Sequence, residues 1–343
     1  MSARVPVWVI GATGYSGLEA VRLLETHPYF RLDGVFASPG ASARDLGEID
    51  PAFASSRRRA EPFAPALLDS PPGAAIVAVP DEAAARIVPA LRARGARVVD
   101  LSCAFRLRDA AHYPLHYGFE HPHPGLLSEA VYGLAESARR EIRGASLVAN
   151  PGCYPTASLL ALQPLERAGL LDAQAAVVVD AKSGVTGAGR KADAAYLFAE
   201  VSENLRPYRP LSHRHVPEMR QALGYENGRG LLFVPHLLPV ARGLLVTAYV
   251  RLRPGATSAD LAAAYGAAYE GSPFVRLLGE GRCPEIRGVA RTNRCDLGFF
   301  VDEAGRAAVL IAAIDNLLKG AAGQAVQNLN LMHDREEQEG LPA

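Results

Sequence analysis

The sequence predicts an α/β protein of two domains, an N-terminal doubly wound parallel sheet followed by an α+β domain with a mixed or antiparallel sheet. Three observations lead there. In the first half of the chain short apolar runs alternate with helical patterns, the rhythm of βαβ units. Beyond residue 153 the texture changes to strand-like runs separated by loops rich in Pro and Gly. The length, 343 residues, suits two cores, since single domains commonly hold about 100 to 200 residues.

The elements follow in order. Residues 5–10 read as a strand, then a helix to about residue 27, strands over 31–37 and 75–79, a helix to about residue 94 and a strand over 97–101. Residues 146–149 form a short buried strand, and 156–162 a helix whose first turn admits Pro155. In the second domain 175–180, 230–234, 244–252 and 306–314 are strand-like. A turn with Asn316, Lys319 and Gly320 then opens a helix over about 321–332, expected to return to the first domain. The boundaries read from this are 1–151 for a first domain joined by a C-terminal helical segment 315–333, 152–314 for a second domain, and 334–343 for a frayed polar tail.

Composition narrows the function classes. Thirty-six basic and 36 acidic side chains give zero formal charge, so neither nucleic acid nor an anionic membrane is an expected partner. Residues 57–59, three arginines, read as a solvated surface. No signal peptide and no spanning segment are read from the sequence, and a cytoplasmic location is expected. The four cysteines, at 103, 153, 283 and 295, lack paired ligand spacing, so no metal site is expected and free thiols in a reducing compartment are.

Two turns carry chemistry. Directly after the first strand come Gly11, Ala12, Thr13, Gly14, Tyr15, Ser16 and Gly17. Glycines at this spacing between a strand and an amphipathic helix let the backbone approach a pyrophosphate at the helix N-terminus. The second strand ends at Ala37 and Ser38 without the acid that would bind a ribose 2′-hydroxyl. Ser38, Ser42 and Arg44 instead offer hydroxyls and a cation to a 2′-phosphate, so NADP(H) is the expected cofactor.

The second turn, Asn150-Pro151-Gly152-Cys153-Tyr154-Pro155-Thr156, places a thiol just before a helix N-terminus, where the dipole favours the thiolate and covalent catalysis. The alternative is a small buried hydrophobe. Its acid-base partner is sought at His213 and His215; if that segment were extended the two would share a face, and the sequence leaves open which one acts. The Gly-rich stretch 181–190 offers Lys182, Ser183, Gly184 and Arg190, with backbone amides and cations suited to phosphate or carboxylate. Lys319 and Gly320 are candidates for approaching a nicotinamide or its phosphates, with Asn316 beside them. A further His-rich stretch, 112–123, reads as a loop.

These stretches together resemble the N-acetyl-γ-glutamyl-phosphate reductases of arginine biosynthesis: GATGYSG at Gly11, DLSCAFRL at Asp100, NPGCYPT at Asn150, AKSGVTGAGR at Ala181, HRHVPE at His213, PHLLPVARG at Pro235 and DNLLKGAAGQAVQN at Asp315. The resemblance implies an NADP-binding Rossmann domain, a catalytic domain related to aspartate-semialdehyde dehydrogenases, Cys153 as nucleophile, an imidazole of the HRH segment as base, and a homo-oligomer, dimer or tetramer. Acyl phosphate, semialdehyde and inorganic phosphate become the expected partners. Arg106, Arg190, Lys182 and Asn150 are then the candidates for substrate groups, arginine being the better bidentate partner. The chain departs from the family's usual pattern at Cys103-Ala104, commonly Ala-Asp, and at Ala135, commonly Pro. The alternatives are a related dehydrogenase acting on aspartyl or aminoadipyl phosphate, since one methylene is worth only about 1 to 3 kcal/mol of discrimination, and a non-catalytic NADP-binding regulator.

Overall fold

A computed structural model describes residues 4–225 and 228–343 of the chain. They divide into two compact units, one formed by the chain up to Pro151 with Ala321–Leu341, the other by Gly152–Gly320 with the last two residues.

The first unit holds β1 (Val5–Ile10), α1 (Tyr15–Glu25), β2 (Phe30–Ala37), β3 (Arg44–Asp45), α2 (Leu46–Ile49), β4 (Arg59–Pro62), β5 (Ala74–Val77), α3 (Asp81–Arg92), β6 (Arg97–Asp100), α4 (His112–Tyr117), β7 (Val131–Tyr132), α5 (Ala135–Arg143) and β8 (Leu147–Ala149). Its strands lie in the order β3-β4-β2-β1-β5-β6-β8-β7, all pairs parallel except β3 with β4. The central strands β1, β5, β6 and β8 are dominated by Val, Ile, Leu and Ala and are mostly buried on both faces, as a sheet covered on two sides requires. The connections leave β1 in opposite directions, to β2 on one side and β5 on the other, and open α/β sheets bind ligands at such a switch.

The second unit holds α6 (Cys153–Arg167), β9 (Val177–Gly184), α7 (Phe198–Val201), β10 (Arg206–Pro207), α8 (Val216–Leu223), β11 (Leu231–Leu238), β12 (Leu244–Arg251), α9 (Ser258–Tyr269), β13 (Val275–Glu280), α10 (Ile286–Val289), β14 (Cys295–Val301) and β15 (Ala307–Ile314). The sheet order is β10-β11-β9-β12-β15-β14-β13, with β9 parallel to β11 and antiparallel to β12. The mixed sheet is thus as predicted, and β9 separates β11 from β12, which are consecutive in sequence. Alternation along β9, β11 and β12 is clean: Val179, Ala181, Phe233 and Val246 are buried, and Val178, Asp180, Lys182, Val234, His236 and Thr247 stand half-buried on the other face. Helices α6 and α9 cover the first face. Phe233 meets Tyr154 of α6 edge-on, and the Tyr265 hydroxyl of α9 donates to Ala161 O at 2.6 Å.

Three expectations are corrected. The stretch 112–123 is not all loop: α4 forms over its first half, anchored by fully buried Tyr113 and ended by Gly118 at φ +79°, the left-handed cap that glycine adopts readily. The segment expected as a helix over 315–333 begins with a non-helical turn, because the Asp315 carboxylate accepts from Leu317 N and Leu318 N (2.8 and 3.0 Å); a π-helical turn Leu318–Ala322 follows, then α11 (Gly323–Met332). The tail is not frayed. All ten residues of α11 are buried, its amides included, and the tail supplies partners to two of them: Asn330 Nδ2 donates to Glu337 O and Glu339 O, and Gln327 Nε2 to Glu337 Oε2. Among the described residues no helix is long and apolar enough to cross a membrane.

Candidate active site and cofactor turn

Cys153 is the first residue of α6 rather than the residue before it. Gly152 is the N-cap, extended at φ −67° and ψ 160°, and its carbonyl accepts both Thr156 N and Thr156 Oγ1 at 2.9 Å. The first-turn amides of α6 therefore lie around the half-buried thiol at the positive end of a fifteen-residue helix. Two glycines give the thiol its room. A Cβ at Gly152 would lie 2.5 Å from His215 Nε2, and one at Gly320 would lie 2.8 Å from the Cβ of Cys153.

The histidine segment is a turn entering α8, not an extended strand, yet it brings both imidazoles together, ring centroids 4.7 Å apart. Their environments differ. His213 is packed edge-on among Tyr154, Tyr208 and Phe233, and its Nδ1 accepts from His215 N at 3.1 Å. Burial, aided by the charges of Arg214 and Arg209, pushes its imidazole down to about 4, so it is neutral at physiological pH. His215 instead faces the thiol turn at Gly152, and its Nε2 is 3.8 Å from Oε1 of Glu218. Glu218 is completely buried, and its other oxygen accepts from Gly152 N at 3.2 Å. The carboxylate thus spans the His215 ring and the backbone that precedes Cys153. Sequence reading assigned Glu218 no role; the signal available was its i+3 spacing from His215 at a helix start. Tyr154 and Tyr208, also unassigned, form a hydroxyl chain, Tyr208 to Tyr154 to His236 O, each step 3.1 Å. Burial raises both phenols, so they serve as neutral donors.

Other expected site residues of this unit separate into several settings. Ser183 is buried with Oγ donating to Gly184 O at 3.1 Å, and a Cβ at Gly184 would strike Val240 O and Ala241 O at 2.7 and 2.8 Å. Asn316 is buried too, accepting from Gly243 N (2.8 Å) and donating to Thr186 Oγ1 (2.9 Å), so it ties the glycine-rich loop to the strand-end turn. Lys319 does not present its ammonium to solvent: it is fully buried, 5.7 Å over the Phe274 ring. Lys182, expected as a substrate cation, is engaged within its own sheet. It stands on the sheet face opposite α6, its Nζ 2.8 Å from Asp180 Oδ2, with His236 Nδ1 3.1 Å from Asp180 Oδ1. Arg190 lies exposed in the loop.

In the first unit the glycines of the phosphate turn meet the demands the motif implies. Gly11 has φ +95°, its amide donates to Phe36 O at 2.8 Å, and a Cβ there would sit 2.2 Å from Ala78 O. A Cβ at Gly17 would sit 2.2 Å from Gly11 O. Gly14 is the N-cap of α1 with no side-chain cap bond, and Thr13, Tyr15 and Ser16 line the turn half-buried. These features fit a pyrophosphate. Ser38 is half-buried and Ser42 and Arg44 are exposed past the end of β2. Beside them a cavity of about 650 Å³ is lined by Pro39, Phe63, Pro80 and Ile87, with Asp81 and Arg86 as polar groups.

Arg106 and Asn150 are turned to the protein. Arg106, 6 % exposed, donates Nε to Asn150 O (2.9 Å), Nη2 to Leu101 O (2.8 Å) and Nη1 to Cys103 Sγ (3.3 Å). Asn150, 1 % exposed, donates from N to Asp100 O at 2.8 Å and accepts from Asn328 Nδ2 at 3.0 Å. Both brace the peptide three residues upstream of the thiol. Asp100 is fully buried, which pushes its carboxyl up to about 6 against the hydrogen bonds from Ser102. Ala104 is fully buried, and Ser102 Oγ accepts from its amide at 3.0 Å.

Comparison with known proteins places the chain in a family. Residues 6–145 match the family model "Semialdehyde dehydrogenase, NAD binding domain" and residues 153–316 match "Semialdehyde dehydrogenase, dimerisation domain". The chain is 44% identical to the N-acetyl-gamma-glutamyl-phosphate reductase of Geobacillus stearothermophilus, over 98% of this chain and 97% of that one. It is 43% identical to the protein of that name from Desulforapulum autotrophicum, over 98% of each chain. Among solved structures, a probable aspartate-semialdehyde dehydrogenase from Pseudomonas aeruginosa superposes with a TM-score of 0.70 at 21% identity, over 96% of this chain and 99% of that one, which shows a shared fold. The chain belongs to the N-acetyl-gamma-glutamyl-phosphate reductases, within the semialdehyde dehydrogenase family.

Proposed function

We propose that this protein reduces N-acetyl-γ-glutamyl phosphate to N-acetylglutamate 5-semialdehyde with NADPH, through a thioester on Cys153 and with His215 as the acid-base group. The observation that carries the assignment of residues is His215 Nε2 lying against Gly152, one residue before the thiol, with buried Glu218 behind it. His215 takes the proton of the thiol. The thiolate Sγ attacks the acyl carbon, the acyl-oxygen bond to phosphate breaks, and inorganic phosphate leaves with the bonding pair. When bound, NADPH supplies the hydride that reduces the thioester carbonyl. The first-turn amides of α6 stabilise the oxyanion, which collapses to the aldehyde as the carbon-sulfur bond breaks. Sγ departs as thiolate and the His215 proton returns to it. Glu218 holds the imidazole in place and favours its protonated form during the step.

For the cofactor, Gly11, Thr13, Gly14, Tyr15, Ser16 and Gly17 would hold the pyrophosphate, and Ser38, Ser42 and Arg44 a 2′-phosphate. The absence of an acid at the end of β2 supports NADP over NAD. Ser183 and Gly184, on the loop that Asn316 braces, are the candidates in the second unit for the nicotinamide end, with Gly320 beside the thiol. Arg190 remains the exposed cation for a substrate anion. The match to a dimerisation domain supports a homo-oligomer. We assign its interface to the open face of the second sheet, where Val178, Leu232, Val234, Tyr249 and Ile311 surround the Asp180, Lys182 and His236 cluster. A nucleophilic thiol that must stay reduced suits the cytoplasm.

The test runs the reaction backwards. N-acetylglutamate semialdehyde, inorganic phosphate and NADP are supplied, NADPH absorbance is followed, and wild type is compared with Cys153→Ser, with NAD, and with aspartate and aminoadipate semialdehydes. Phosphate-dependent NADPH formation, best with the first aldehyde and lost in the variant, is the expected result. Turnover only with another aldehyde would keep the chemistry and replace the substrate.

A further inference from the structure

We infer that the Arg242–Asp315 pair is a positioning element for the Cys153 thiol, acting through the turn that ends at Gly320. Asp315 is fully buried and is the hub of that turn. Its Oδ2 accepts from Arg242 Nε at 3.0 Å and Arg291 N at 2.6 Å; its Oδ1 accepts from Arg242 Nη2 at 3.1 Å and from Leu317 N and Leu318 N. A single carboxylate thereby joins three chain segments, and its own carbonyl accepts from Gly320 N at 2.9 Å. Gly320 is the residue whose Cα rests against Cys153, since an added Cβ would come within 2.8 Å of the cysteine Cβ and 3.3 Å of its Cα.

The adjacent residues repeat the arrangement. Asn316 accepts from Gly243 N, next to Arg242, so the two strand-end segments are tied side chain to backbone at successive positions. The backbone at the centre of this wall is a π-helical turn, Leu318–Ala322, a geometry that recurs at functional sites and is held only when its surroundings determine it. Arg291 takes φ +65°, a strained conformation for a non-glycine residue, while giving its amide to Asp315. A bidentate guanidinium fixes the orientation of the carboxylate as well as its charge, which an ammonium does not. The pair therefore sets where the Gly320 wall stands and, through it, the approach of Sγ to an acyl carbon. Neither residue touches substrate in this role.

The proposal rests on Cys153 being the nucleophile, and the experiment separates the two. Arg242→Gln and Arg242→Lys are compared with wild type for thermal stability, for kcat and KM, and for the pH dependence of Cys153 alkylation by iodoacetamide, followed by mass spectrometry. In Arg242→Gln, kcat falls on the order of tenfold or more, KM for NADP stays within about twofold and the alkylation profile changes, as expected for a displaced reacting atom. Arg242→Lys recovers only part, because charge returns without the fork. An Arg242→Gln protein with wild-type alkylation and kcat within about twofold overturns the proposal. Should that variant fail to fold, Arg242→Lys is judged on the same criteria. Cys153→Ser is assayed alongside: activity retained there overturns the nucleophile and this proposal with it, whereas activity lost there with Arg242 variants unchanged overturns the proposal alone.

Discussion

The phosphate turn after β1 and the thiol turn before α6 are both built on glycines where a Cβ would meet a neighbour, yet the obstacles differ. At Gly11 and Gly17 the obstruction is backbone, Ala78 O and Gly11 O, each 2.2 Å from where a Cβ would be. At Gly152 it is the imidazole of His215, and at Gly320 the Cβ of Cys153. Backbone within a sheet and its turn cannot retreat, so the first turn uses glycine to exist at all. The imidazole at Gly152 can rotate away, so glycine there keeps the ring against the thiol turn, whereas the Cβ that Gly320 faces is fixed by its own backbone. The first constraint belongs to folding and the second to chemistry.

Removing the thiol is the strongest test of that division. Cys153→Ser should lower the rate by on the order of 10⁴-fold or more while leaving NADP binding and the melting temperature close to wild type. Next in size is the imidazole pair. His215→Asn should cost about 10²- to 10⁴-fold in kcat. His213→Asn, which keeps an acceptor for His215 N, should lower thermal stability more than kcat, because His213 is an uncharged packing group. Equal kinetic damage from the two would show that the assignment of His215 over His213 is mistaken. The glycines then divide by readout. Gly152→Ala should reduce kcat by about 10²-fold with little loss of stability, since the imidazole moves aside. Gly11→Ala should lose roughly 2 to 4 kcal/mol of stability, combining a positive φ with a backbone collision, before kinetics can be compared.

The same contrast explains what was legible in the sequence. The parallel sheet, the phosphate turn and the thiol turn are local signals: periodicity, glycine spacing, and Pro-Gly-Cys before a helix. The relation of His215 to Gly152 spans 63 residues and that of Gly320 to Cys153 spans 167, by subtraction of their positions. No pattern of spacing encodes them. For the same reason Lys182 misled. A lysine in a glycine-rich stretch reads as an anion ligand, but β9 runs through to Gly184, and its two-residue period turns Lys182 to the face away from α6. Arg106 and Asn150 looked like ligands because polar side chains beside a nucleophile often are. Their burial, which sequence does not display, turns them to carbonyls of their own unit.

The smallest predicted effect concerns another pairing distant in sequence, the buried His27 and the tail. Its Nδ1 accepts from Tyr29 N and Phe30 N at 3.2 Å, so the ring proton sits on Nε2 and is donated to Glu339 O at 2.9 Å, 312 residues away. Protonation would place a second N–H against two backbone donors, and burial holds the imidazole below its ordinary value. The folded state therefore binds this proton less readily than the unfolded chain. Its stabilisation is complete above the unfolded pKa of about 6.5 and is lost as pH falls toward the lower folded value. His27→Asn retains an acceptor for the two amides while removing the titration. Between about pH 7.5 and pH 5, the wild type should lose more melting temperature than His27→Asn, the other buried histidines contributing equally to both. Parallel curves would mean that the tail is held by Asn330 and its carbonyl partners, with His27 indifferent to the proton.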